Sequence, residues 1–109
     1  MTCTTASAVA LNDDFRRTFV GGLVVITAGV EALPADQRKS LLAKVRAFDA
    51  FTEDNDPHRE HDFGAVDEGG VRYFWKVDCY DRATEFGSPD PGDPAVTTRV
   101  LTIMRADEY

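Results

Sequence analysis

Thr52 to Gly64, TEDNDPHREHDFG, crowds together groups that bind cations or move protons: Asp54, Asp56, His58, Glu60, His61 and Asp62. Carboxylates and imidazoles at that density suit zinc, manganese or magnesium when a chain folds them inward. The spacing argues against the simplest version. HREH is one residue short of the H-x-x-E-H arrangement, and Pro57 and Gly64 disfavour a continuous helix presenting both histidines on one face. In an extended segment His61 and Phe63 face one way and Glu60 and Asp62 the other, so adjacent polar residues cannot share one ion without a bulge. The stretch therefore reads first as a hydrogen-bonded connection from a helix to a sheet. Asn55 and Asp56 are expected to bond backbone amides around Pro57, and His61 to start a hairpin. A metal site of His61, Asp62 and Asp78, with Glu60 beside them, is the alternative; otherwise no cofactor is expected and no catalytic residue is assigned.

A second group, Lys76, Asp78 and Asp81, reads as an ordinary ion pair on a strand face, because Lys76 and Asp78 stand two apart and point the same way. Tyr73, Phe74, Trp75 and Tyr80 lack interleaved basic residues, which favours core packing over base stacking. Two cysteines, Cys3 and Cys79, are too few for a disulfide framework, and reduced thiols are expected, with Cys79 a small buried hydrophobe.

The elements that must position these groups follow from periodicity. NDDFRRTF reads as a short helix capped by Asn12 and stopped by Gly21 and Gly22, after a flexible tail over residues 1–10. LVVITAGV is β-branched and glycine-bounded, and predicts a buried strand from about Leu23 to Ala28. After Pro34, the stripe of Leu41, Val45 and Phe48 predicts an amphipathic helix from Ala35 to Phe51. HDFGAV, the turn DEGG and VRYFWKVDCYD predict a hairpin whose core face carries Tyr73, Trp75, Val77 and Cys79. GSPDPGDP is a loop, and TTRVLTIMRA a final strand, apolar on both faces and hence central. The expectation is one α+β domain over residues 11–109, two N-terminal helices packed on a small, mainly antiparallel sheet of about four strands.

With 109 residues and 43% hydrophobic composition the chain can build one modest core. It carries no apolar run near the roughly 20 residues of a membrane span and no basic leader, so a soluble, cytoplasmic protein is expected. Net charge is −7, and its distribution is uneven: Glu53 to Asp93 holds 12 acids against 4 bases. Direct nucleic-acid binding is disfavoured, since it draws affinity from Lys and Arg displacing counterions. A protein partner with a basic surface fits better. The candidate contact residues are Glu53, Asp54, Asp56, Glu60, Asp62, Asp67, Glu68, Asp90 and Asp93.

LNDDFRRTF, GG followed by TAGVEALP, FDAFTEDNDPHREHDFG, FWKVDCYD, GSPDPGDP and RVLTIMRADEY together resemble the proteobacterial domain-of-unknown-function family 3768, over Leu11 to Tyr109. The family pattern has glycine where Arg59 stands and tyrosine where Cys79 stands, so a mechanism resting on either would not be a family mechanism. The resemblance implies a small stand-alone accessory protein carried with plasmids and integrated conjugative elements, and transfers no activity. Three functional classes follow. The first is an acidic accessory protein acting by protein binding, for example an inhibitor of anti-restriction or anti-CRISPR type. The second is a metal-dependent hydrolase-like enzyme using Glu60, His61 and Asp62 with Asp78. The third is a structural module, or a homo-oligomer in which a copy of the chain covers an exposed apolar strand face. The balance leans away from an enzyme.

Overall fold

The computed structural model describes residues 6–109. Its elements run α1 (Ala6–Thr18), β1 (Gly22–Ile26), α2 (Ala28–Glu31), α3 (Ala35–Ala47), β2 (Phe63–Glu68), β3 (Val71–Tyr80) and β4 (Thr98–Arg105), with short 3-10 turns at Pro94–Val96 and Ala106–Glu108. The four strands form one sheet in the order β1-β4-β3-β2. β4 is antiparallel to β3 and parallel to β1, so the sheet is mixed and mostly antiparallel. This is the expected α+β class, with one helical turn, α2, beyond the two helices foreseen.

The β2–β3 hairpin forms as its residues demand. Gly69 and Gly70 both take positive φ, 60° and 79°, the conformation that lets a two-residue turn follow the twist of its strands. Alternation along β3 then buries Tyr73, Trp75, Val77 and Cys79, while Leu101 and Ile103 of β4 join the same face. Phe15 of α1 and Leu41 and Val45 of α3 close over them to complete the core. β4 is central, as its two-sided apolar pattern implies.

Several expectations are corrected. α1 begins at Ala6, because the alanine-rich turn before Leu11 has high helix propensity, where a tail was expected over residues 1–10. Residues 1–5, Cys3 among them, lie outside the described residues. Asn12 is not a cap: it sits mid-helix, wholly buried against the sheet. α3 stops at Ala47 instead of Phe51. Phe48 turns extended there, so that Phe48 and Phe51 reach Trp75 edge-on, with ring centroids 5.5 and 6.1 Å away. β1 forms but is not buried; it is the sheet's margin, with Leu23 55% and Val25 45% exposed. Cys79 is buried as foreseen, yet it is not a free thiol.

Gly64 faces the indole of Trp75 across the hairpin, and a Cβ there would lie 2.6 Å from Trp75 Cε2. Trp75 cannot retreat, being fully buried among Phe48, Phe51 and Arg16. Gly64→Ala should therefore lower stability by about 1–3 kcal/mol, the cost typical of overpacking, read as a lower urea midpoint of the tryptophan fluorescence transition.

Candidate functional site

The connection from α3 to β2 folds around Asp56. Its Oδ1 accepts the backbone N–H of Glu60 at 2.9 Å and that of His61 at 3.4 Å, and its own N–H donates to Thr52 O at 2.8 Å. These bonds hold Arg59 and His61 at φ 54° and 52°, a left-handed conformation that is costly for residues with a Cβ. So constrained, the His61 ring lies flat on Phe51, with centroids 3.8 Å apart and planes 3° from parallel. Its Nδ1 is 3.0 Å from both carboxylate oxygens of Asp13, and its Nε2 is 3.6 Å from Asp56 Oδ2. Asp13 lies on α1, so the histidine ties the first helix to the connection.

Beneath this clamp sits Arg16, whose side chain has no exposure. It donates to Asp13 Oδ1 at 3.0 Å and to Phe48 O at 2.9 Å, and its guanidinium lies 4.9 Å from the Trp75 ring and 5.4 Å from that of Phe51. Burial pulls its pKa down, against the pull upward from Asp13. One turn earlier, Asn12 Nδ2 donates to Glu60 O at 3.2 Å, and Asn12 Oδ1 accepts from buried Arg99 Nε at 2.8 Å. Arg99 also donates to Pro91 O, so α1, the connection, β4 and the proline-rich loop meet in one polar seam.

Glu60 and Asp62 flank His61 and interact with each other. Burial, followed by the hydrogen bond and charge of Glu60, pushes Asp62 up to about 7, with Asp56 adding to the effect. The arrangement can store a proton near neutral pH beside an imidazole.

The structure divides the sequence candidates. Glu53 and Asp54 are exposed on a turn held by Thr52 N–H to Asn55 Oδ1, 2.8 Å, and by Asn55 Nδ2 to Ala50 O, 2.8 Å. Asp56 and Glu60 are buried and Asp62 partly so. Asp67 pairs with Arg72 at 3.1 Å, and Glu68 with Lys44 at 2.9 Å. Asp90 accepts from Gly92 N–H, and Asp93 caps the Pro94–Val96 turn through Ala95 N–H.

The metal set of His61, Asp62 and Asp78 is not assembled. Asp78 pairs with Lys76 at 3.2 Å on the sheet face away from Trp75, whereas His61 stacks on Phe51 on the Trp75 side. Asp13 and Asp56 approach different nitrogens of the one ring, so they cannot meet at a common ion. Among the described residues no group of three or more His, Cys, Asp or Glu side chains is placed to hold a metal. Sequence reasoning missed Asp13, Arg16 and Arg99 as members of the seam. Only Arg16 beside Phe15 in FRRTF and Arg99 at the head of the apolar TRVLTI hinted at it.

A family model described as "Protein of unknown function (DUF3768)" matches residues 26–108. The chain belongs to the DUF3768 family. The match is narrower than the Leu11 to Tyr109 expected, and α1, with Asn12, Asp13 and Arg16, precedes it. The clamp is thus built from a DUF3768 segment and a helix outside the matched residues. No curated protein matches the chain, and no solved structure does. Among the described residues no helix is long and apolar enough to cross a membrane.

The Asp62 shift has a sign that can be measured. Its folded pKa of about 7 lies above the ordinary aspartate value of 3.8, so between those pH values the folded state binds more protons than the unfolded one, and stability falls as pH rises. Asparagine keeps the donor that the protonated acid offers Glu60 and removes the titration. Asp62→Asn should match or trail the parent near pH 4 and exceed it at pH 8 by on the order of 1 kcal/mol, about 4–8 °C in Tm for a domain of this size. Thermal melts across that range check it.

Proposed function

We propose that this chain acts by binding a protein with a basic surface, and that the surface it uses is the acidic pole where the α3–β2 connection meets α1. The observation that carries the reading is the rigid turn that lifts Glu53 and Asp54 into solvent, with no ion pair to any described residue. Asp49 is exposed just before it, and Asp13 and Asp62 are partly exposed just behind it. Arg59 and His58 also project there, but the guanidinium of Arg16 is sealed beneath. A fixed turn presents its carboxylates without the ordering cost that a mobile loop would incur on binding. Such a surface competes for the basic grooves of proteins that handle nucleic acid, and an inhibitor of a host defence system, of anti-restriction or anti-CRISPR type, is the class of accessory protein it fits. Long-range attraction of this kind raises association rates and weakens with salt.

The test joins Glu53→Lys to Asp54→Lys, both exposed and outside the clamp, so folding should be unchanged by circular dichroism. Parent protein immobilised in host lysate at low salt should capture basic nucleic-acid-binding proteins, and its expression should relieve restriction of phage or plasmid. The double variant should lose both effects. A parent chain that captures no such protein and leaves restriction untouched refutes the proposal.

A further inference from the structure

The opposite margin of the sheet carries an independent signal. Val20 to Val30, VGGLVVITAGV, contains no charged residue and no proline, in a chain with 28% charged residues. It includes β1, an edge strand with Leu23 and Val25 exposed and Val20 75% exposed beside it. Edge strands are ordinarily blunted by a lysine, a proline, a bulge or a covering element. The β2 margin follows that rule: Lys44 of α3 donates to Asp67 O at 2.7 Å, and Asp67 and Arg72 place charges on the strand. Among the described residues β1 has none of these devices.

The backbone of β1 is laid out to pair with itself. Thr27 N–H donates to Ile103 O while Ile26 stands opposite Ile103 in the parallel ladder. The polar groups of Leu23, Val25 and Thr27 therefore face β4, and those of Gly22, Val24 and Ile26 face outward. That outward set is symmetric about Val24. In an antiparallel pair, Val24 exchanges both backbone bonds with Val24 of a second copy, Gly22 pairs with Ile26, and Leu23 comes opposite Val25 on the sheet face away from α1 and α3. A two-fold interface requires just such a self-complementary patch.

We propose that two copies of this chain pair through β1, antiparallel about Val24, into one continuous sheet. Charge placement favours a second copy as the occupant. The Glu53–Asp62 pole, with five acids against one base, adjoins β2, the margin farthest from β1 in the strand order, and Val20 to Val30 brings no charge of its own to the seam, so the densest charge of each copy sits away from it. Across a whole sheet the repulsion between the two poles is screened, since the Debye length is about 8 Å at physiological ionic strength. The inference does not depend on what the acidic pole binds.

Sedimentation velocity over a concentration series, with amide exchange followed by NMR, tests it. The parent should approach twice the monomer mass at sub-millimolar concentration, and the amides of Gly22, Val24 and Ile26 should gain protection as it does. Val24→Lys keeps the β4-facing ladder intact and sets two like charges opposite each other on the axis; it should raise the dimer Kd at least about tenfold with an unchanged circular dichroism spectrum. Val24→Thr, β-branched and uncharged, should still dimerise. A parent that stays monomeric overturns the proposal, as does a dimer that survives Val24→Lys or protects amides elsewhere.

Discussion

Arg16 is the constraint on which the arrangement turns. A guanidinium with no exposure must find its partners inside, because a buried charge deprived of one partner costs roughly 3–5 kcal/mol. Asp13 and the carbonyl of Phe48 supply those partners, and the rings of Trp75 and Phe51 supply its faces. To deliver the Phe48 carbonyl, α3 has to end at Ala47; to deliver the rings, the chain beyond it has to fold back over the hairpin. Asp13 then has a second oxygen to offer, and His61 takes it. A single arginine thus dictates where a helix stops, which way two phenylalanines turn and where the histidine is held. Its Nε finds no partner among the described residues, which marks the cation as accommodated for geometry more than for net stability.

The hairpin and its core face were legible because their signals are local. A glycine pair flanked by period-two alternation contains its own turn geometry, and Tyr73, Trp75, Val77 and Cys79 needed only the pleat to share a face. The central position of β4 was equally plain from Val100 to Met104. What could not be read were decisions made between distant segments. Asn12 carries the residue type of a helix cap, yet its amide is spent on Glu60 and Arg99, 48 and 87 residues away. Arg99 sits in a strand pattern where a charge normally marks the wet face, and it is buried because Asn12 and Pro91 meet it there. β1 failed for a related reason: an unbroken β-branched run is the mark of a strand covered on both sides, and nothing in five residues says that the sheet ends with it.

The candidate site shows the same division at finer scale. Asp54 and Asp56 are two residues apart and chemically identical, but only Asp56 has amides within reach, because Pro57 and the left-handed Arg59 turn the backbone N–H groups of Glu60 and His61 back toward it. One aspartate is consumed in making the loop, and the other is presented by it. Density of carboxylates alone could not separate them. Of the nine acids singled out, those on β2 and the proline-rich loop likewise have partners or capping duties, so the anionic surface contracts to the connection and recruits Asp13 and Asp49 from outside the segment.

That contraction gives the molecule two unlike margins. Carboxylates and buried polar contacts gather where the connection crosses onto β2, and β1 itself is left uncharged and, among the described residues, exposed. The asymmetry has a physical origin in the long helix. α3 leans on β2, bringing Lys44 and Ser40 to meet Glu68 and Asp67, so every charge the helix and hairpin share is drawn to that side. Among the described residues no comparable helix brings charged groups to β1, whose own side chains carry no charge. A sheet bounded on one side by a fixed acidic turn and on the other by unpaired backbone presents two different recognition chemistries, one governed by long-range charge and the other by short-range hydrogen bonding, and neither interferes with the other across the intervening strands.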